Sequence, residues 1–346
     1  MNFEISKQDS LAMKGIAICA MLWHHLFYTH SEYGRFVQEL GYLGKVCVAM
    51  FLFVSGYGLY KSFNKLNFSE LNFVSGGVKT IKFICKRLTK FYLNYWVVFL
   101  IFVPIGVFVF DIGLEQRYGQ NITLGLVKDW FGINGWNAYN ITWWFNNLII
   151  ILYLVFPLLF IAVKKGGWIA WVISLFVMRF CGHLPEWVPN EMGQLDWQFP
   201  FVCGMVWCRY ENLLTEKSKN INIVVWQIVA VIMLILCVCC RVFYIIPHFG
   251  GTRIDAFIAI FTMMFIITCI NQLPIISSVF SFVGKHATNM YLTHTFIFAY
   301  WFKDFIYSFK YPIFIFIALF LITLGISYIL EFIKDKLGVY KLMSIF

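Results

Sequence analysis

Chemistry is most legible on one apolar run, which opens Ser10-Leu-Ala-Met-Lys14 and closes Trp23-His24-His25-Leu-Phe-Tyr28. His25 follows Lys14 by eleven residues. On an α-helix that is only ~20° beyond three full turns and about 16 Å along the axis. One face then carries an ammonium near one end and an imidazole toward the other, while His24 points ~100° away. An imidazole with an ordinary pKa of about 6.5 is suited to take a proton from a hydroxyl at neutral pH, as a general base does. A plainer reading fits the same residues: a lysine snorkelling to the membrane surface and a histidine satisfied by packing.

A second group runs Lys79-Thr-Ile-Lys82-Phe-Ile-Cys-Lys86-Arg87-Leu-Thr-Lys90-Phe-Tyr-Leu-Asn-Tyr95-Trp96. Arg87 and Lys90 are three apart and so share a helical face, and Lys79, Lys82 and Lys86 extend a basic stripe. Arg offers phosphate a two-pronged donor and Lys a point charge. The same stripe also reads as a positively charged anchor with aromatic belt residues behind it. Softer signals lie on other apolar segments. Asn146 and Asn147 follow Thr142-Trp143-Trp144-Phe145, and Tyr291 and His294 belong to Gly284-Lys285-His286-Ala-Thr-Asn289-Met-Tyr291-Leu-Thr293-His294. Polar groups in a span face the interior, so these are candidates to line a path. The polar insertion from Asp111 to Ile141 holds Trp130, Asn134, Trp136, Asn137, Tyr139 and Asn140, flat rings among amides that could hold a sugar.

What must position these residues is set by composition. Of 346 residues, 61% are hydrophobic and only 13% charged. Soluble domains carry about 25% charged residues, so there is too little charge to cover a soluble surface. The chain is expected to be all-α, a polytopic membrane helix bundle of about ten transmembrane helices. Apolar runs place the spans at 10–29, 41–60, 91–110, 143–163, 167–182, 196–208, 222–243, 254–270, 286–302 and 311–333. These runs exceed the alternating segments of about ten residues used by membrane barrels. The shortest, 196–208, reads either as a re-entrant piece or as the end of a longer tilted helix. The whole of 1–346 then forms one multi-pass domain with no appended soluble domain.

An even number of spans puts both termini on one side. Assigning them to the cytoplasm leaves 17 of the 27 Lys and Arg residues there and nine on the opposite side or its edge, with Lys14 inside the first span. That asymmetry is the one expected of cytoplasmic termini. The formal charge of +10 is then mainly an inner-surface property, suited to anionic membrane lipid and to an anionic cytosolic ligand. No polar module able to read bases is apparent, so nucleic acid is not an expected partner. The ten cysteines fall mostly within apolar runs without a CxxC pair and read as packing residues, and no metal is expected.

Taken together, these segments resemble the acyltransferase-3 family of multi-pass membrane acyltransferases, which modifies bacterial surface sugars and other extracytoplasmic acceptors. The resemblance rests on Lys14-Gly-Ile-Ala with His25, on Ser55-Gly56-Tyr57, on Lys86-Arg87-Leu-Thr-Lys90-Phe-Tyr, and on Gly284-Lys285 through Tyr291 and His294. The family usually has Arg where this chain has Lys14 and Lys90; both changes keep the charge and lose the fork. The resemblance implies His25 as the catalytic histidine and Lys14, Lys86, Arg87 and Lys90 as cofactor-binding residues for acetyl-CoA, the acyl donor. It implies an extracytoplasmic glycan as acceptor and the cell membrane as location. His24, Asn146, Asn147, Tyr291 and His294 are the path-lining candidates. Self-association into a homo-oligomer stays open. The competing function class is a transporter or flippase of a small solute or lipid-linked sugar, which buried polar residues in ten helices would also suit. The absence of a visible repeat between the two halves argues against it.

Overall fold

Lipid offers no partner to a backbone N–H or C=O, so a chain this apolar satisfies those groups within helices. The computed structural model describes residues 1–66, 73–181, 197–245 and 254–345, and among these residues every regular element is helical. In chain order they are α1 (Lys7–Phe27), α2 (Arg35–Gly44), α3 (Cys47–Asn64), α4 (Phe73–Phe108), α5 (Leu114–Tyr118), α6 (Ile122–Trp130), α7 (Trp144–Gly166) and α8 (Trp168–Cys181). There follow α9 (Gln198–Lys217), α10 (Ile223–Cys240), α11 (Asp255–Thr268), α12 (Pro274–Thr295), α13 (Lys303–Tyr307), α14 (Pro312–Lys336) and α15 (Val339–Ile345). Wider π-helical turns continue α10 over Arg241–Ile245 and α12 over Phe296–Trp301.

All ten expected spans fall on helical segments, with 41–60 crossing the break between α2 and α3, although residues 182 and 196, the expected ends of two others, lie outside the described residues. Among the described residues, seven segments are long and apolar enough to cross a membrane. The three expected spans outside that set are α8, α9 and α12, for identifiable reasons. α8 is apolar but has 14 residues. α9 and α12, with 20 and 22 residues, approach the length of a bilayer core at 1.5 Å per residue. Their apolar character is diluted by Arg209, Glu211, Glu216 and Lys217 in α9 and by Lys285, His286 and Asn289 in α12. The short segment at 196–208 is thus the beginning of a longer helix. The protein is a polytopic membrane helix bundle.

Contacts divide it into two compact units, Met1–Leu66 with Leu158–Ala287, and Asn67–Pro157 with Thr288–Phe346. In the first unit, helices approach through glycine. A Cβ on Gly15 of α1 would overlap the carbonyl of Phe280 in α12, and one on Gly284 of α12 would overlap the carbonyl of Leu11 in α1. Gly56 of α3 and Gly204 of α9 repeat this reciprocity against Phe201 and Phe53. Lipid is as apolar as leucine, so helices associate in it through such close van der Waals contact. α1 also begins with a capping box: Ser6 Oγ accepts from the Asp9 amide, and Asp9 Oδ2 accepts from the Ser6 amide at 2.7 Å. Asp9 Oδ1 accepts from Asn271 at 2.7 Å, which pins the start of the helix.

The second unit is built on aromatic rings. Tyr92, Tyr95, Trp96 and Phe99 recur on one side of α4 at the spacing of helical turns. Tyr92, Tyr95 and Trp96 donate to the carbonyls of Phe131, Asp129 and Trp130 at 3.0, 2.6 and 2.8 Å. Trp96 stacks on Trp130, and Tyr95 meets the edge of Trp143. These contacts lay the α5–α6 insertion along α4 and close a core that includes Phe102, Tyr139 and Phe296.

Candidate active site

α1 runs without interruption from Lys7 to Phe27, so Lys14, His24 and His25 share one helix in the first unit. Lys14 and His25 are half-buried and His24 is buried. His24 Nδ1 lies 2.7 Å from the carbonyl oxygen of Gly41 in α2. A carbonyl can only accept, so this nitrogen carries the hydrogen and Nε2 is left as the unprotonated atom of the neutral ring. The His24 ring stacks on Tyr28 with centroids 4.6 Å apart and meets the His25 ring near-perpendicularly at 4.9 Å. α2 comes this close because a Cβ on Gly41 would press on the Tyr28 backbone, and one on Gly44 on Ala20 and His24. The imidazole of His25 is therefore flanked by a second imidazole of fixed orientation.

Near the same helix end sits an ion pair. Arg241, 2% exposed, donates from Nε to Asp255 Oδ1 at 2.5 Å and from Nη2 to Oδ2 at 3.3 Å, and Asp255 is 0% exposed. A fully buried pair has lost its water and is held by geometry and by what else its atoms bond. Arg241 Nη1 uses its remaining direction on the carbonyl of Tyr42, at 2.9 Å.

A second polar network in this unit joins the N-terminal segment to α3 and α9. Tyr57 donates to Glu211 Oε2 at 2.6 Å and accepts from the Ile5 amide at 3.0 Å and from Lys61 at 2.6 Å. Lys61 also bonds Glu4 at 2.7 Å, which holds the Glu4 carboxyl below the usual range. Tyr57, part of the Ser55-Gly56-Tyr57 segment, is thus a hub of packing as well as a motif residue.

The basic stripe belongs to the second unit and lies on the first half of α4, with Lys86 exposed and Arg87 and Lys90 half-buried. The guanidinium of Arg87 lies 5.2 Å from the centre of the Phe83 ring. One turn beyond Lys90, Asn94 donates to the Lys90 carbonyl and accepts from Lys334 at 2.9 Å. Lys334 is 1% exposed; it also donates to Asn289 at 2.6 Å and pairs with Glu331 at 3.4 Å. Asn289 in turn donates to Ser327 and to Glu331, and Tyr340 donates to Glu331.

The other path-lining candidates also lie in the second unit. Tyr291 donates to the carbonyl of Thr142 at 2.8 Å. His294, 0% exposed, directs Nδ1 at the carbonyl of Tyr291 at 2.7 Å, and Nε2 lies 3.3 Å from the Thr295 hydroxyl. Asn146 and Asn147 are buried, and the Nδ2 atom of each has no partner. These are donors facing an interior that leaves them unmatched, which is costly in a dry site. His24 and His25 are thus brought together in one unit, and Tyr291, His294 and Asn146 in the other.

A family model described as an acyltransferase domain, Acyl_transf_3, matches residues 11–332. The chain belongs to the acyltransferase-3 family. The matched stretch begins within α1 and ends within α14, so it takes in every candidate residue named above. No curated protein and no solved structure matches. This acyltransferase-3 protein is a membrane acyltransferase.

Three features of this acyltransferase-3 chain depart from what spacing alone conveyed. Arg241 and Asp255, which no motif singled out, form one buried pair; a cation closing one apolar run and an anion opening the next was the available signal. Lys334 is one of the 17 cations counted for the cytoplasmic side, and it is buried among Asn94, Asn289 and Glu331. In the 111–141 insertion, Trp130 stacks on Trp96, and Asn134, Tyr139 and Asn140 are buried, which leaves Trp136 and Asn137 as the exposed members of the group offered for sugar contact. Asp129 organises that insertion. Its Oδ2 accepts from Tyr118 at 2.5 Å and from the Tyr139 amide at 2.6 Å, while Oδ1 is buried without a partner. Burial raises the Asp129 carboxyl above its ordinary pKa and pushes the Tyr139 phenol up to about 12.

Proposed function

We propose that the protein is a membrane O-acyltransferase that moves an acetyl group from cytoplasmic acetyl-CoA to a hydroxyl of an extracytoplasmic glycan, with His25 as general base. The observation that carries this reading is the end of α1: a half-buried imidazole on an uninterrupted helix, beside a second imidazole whose tautomer a backbone carbonyl sets. Family membership supplies the class of reaction. In the proposed step, the acceptor hydroxyl gives its proton to His25 as its oxygen attacks the thioester carbonyl. The C–S bond then breaks, and the thiolate of coenzyme A leaves and is protonated. Lys14, Lys86, Arg87 and Lys90 are the cations assigned to the donor's phosphates. The acceptor class follows from the family resemblance, with the exposed Asn137 and the exposed Trp136, whose ring stacks on Trp144, as the candidate contact surface. Both termini are assigned to the cytoplasm and the protein to the cell membrane.

Radiolabelled acetyl-CoA added to membranes that contain the protein and the cell's own surface glycan tests the reading. Label should appear on glycan with the wild-type chain and be lost with His25→Ala, which should remain inserted and folded. Full turnover by that variant would overturn the assignment of the base. Arg87→Ala and Lys90→Ala should weaken acetyl-CoA binding; unchanged binding in both would remove the phosphate assignment.

A further inference from the structure

The C-terminal end of α2 exposes a problem that two side chains solve. The last four carbonyls of a helix have no partner within it, and in α2 these include Gly41 and Tyr42. The Tyr42 carbonyl has only a long bond of 3.4 Å from the Lys45 amide in its own turn, and it accepts from Arg241 Nη1 at 2.9 Å. The neighbouring Gly41 carbonyl accepts from His24 at 2.7 Å. A helix C-terminus favours cations and N–H donors for the same reason. Consecutive carbonyls of one short helix thus bind the buried guanidinium on one side and the imidazole of α1 on the other.

We infer that the Arg241–Asp255 pair is a positioning device for the histidine couplet: by holding the Tyr42 carbonyl it fixes α2, and with α2 the Gly41 carbonyl that orients His24 against His25. The inference rests on the reading of His25 as general base. Asp255 fills two directions of the guanidinium fork, so the third is aimed rather than free to wander. A matched apolar pair at such a site usually costs a protein little stability. Apolar side chains could fill the volume, but they would leave the Tyr42 carbonyl with only the long Lys45 bond and remove the tie between α2 and the guanidinium. Arg241 and Asp255 are positioning residues here; neither is assigned contact with substrate.

The full chain in lipid nanodiscs, labelled isotopically on histidine, gives the first test by nitrogen NMR, with His24 assigned from the signal lost in His24→Gln. The expected wild-type ring carries its hydrogen on Nδ1, and hydrogen on Nε2 would overturn the inference. The second test replaces the pair as Arg241→Met with Asp255→Leu, chosen so that no buried charge is stranded, alongside Arg241→Lys. In the radiolabelled acetyl-CoA assay the apolar pair should lower kcat by about 10- to 100-fold, the scale expected when a reacting group is slightly misplaced. The KM for acetyl-CoA should be unchanged, and the His24 signal should divide between both tautomers. Arg241→Lys should recover part of the rate. A folded double variant with wild-type kcat and a single Nδ1–H tautomer would overturn the inference, and so would a raised donor KM at unchanged kcat. Should His25→Ala retain turnover, it is the base assignment that fails, and the NMR outcome still judges the clamp on its own. Should His25→Ala abolish turnover while the apolar pair does not lower it, the clamp alone fails.

Discussion

The two units solve the same problem, holding polar side chains in an apolar surrounding, by different means. The first brings backbones together at Gly15, Gly284, Gly56 and Gly204 and buries an ion pair against helix-end carbonyls. The second packs aromatic rings against one another, edge-on and stacked, and threads a chain of amides through Lys334. The difference suggests where each tolerates change. A backbone-to-backbone contact has no side chain that can yield, whereas an amide network loses its bonds one at a time.

Four substitutions probe that contrast, in order of expected effect. Gly284→Ala drives a methyl into the Leu11 carbonyl and should lower stability by about 3 kcal/mol, at the upper end of overpacking costs. Thermal unfolding in detergent reads it, against Gly325→Ala in α14, where nothing stands within 4 Å and little loss is expected. If the two variants melt alike, the glycine contacts do not distinguish the units. Lys334→Met should cost about 2 kcal/mol, since Asn94 and Asn289 lose a buried donor. A loss as large as that of Gly284→Ala would show the network to be as unforgiving as the glycine seams. Tyr118→Phe removes one bond to Asp129 and should cost about 1 kcal/mol by the same melting assay.

The smallest expected effect is the pH response of Asp129. Its folded pKa is raised by burial, so the folded state holds this proton more tightly than the unfolded chain. That contribution is full below the unfolded value, about 3.9, and disappears as pH rises through the folded value. Asp129→Asn can still accept from Tyr118 and Tyr139 and has no proton to lose. Its melting temperature should match wild type on the acid side, exceed it slightly near neutral pH, and lack the small loss that wild type shows as pH rises. An identical pH response in both proteins would assign that loss to another group.

Helix positions were legible because they depend on runs of twenty or so apolar residues, and Lys14 and His25 fall on one helix as their spacing predicts. The second half of α9 was harder to read, since Arg209 through Lys217 look like a loop although they continue the helix. The site's cations on α4 were visible as a stripe, but the buried Lys334 beside Asn94 was not, because 240 residues separate them in sequence. Ion pairs such as Arg241–Asp255 join helices whose packing no one-dimensional pattern reports. Asn140 and Tyr139 looked available for ligand because their types are common in binding loops; in three dimensions they are the interior of that loop.

The wide turn at Phe296–Trp301, where the Phe302 amide reaches back five residues to the Ile297 carbonyl, amounts to one surplus residue in a helix. Each residue accounts for about 100° of rotation. Deleting one position there would shrink the turn to ordinary pitch and swing the downstream segment by about a quarter-turn relative to Trp143 and Asn140, which bond the carbonyl of Leu292. Length variation among homologous chains should therefore concentrate at this point, as a register slip the helix can absorb without breaking.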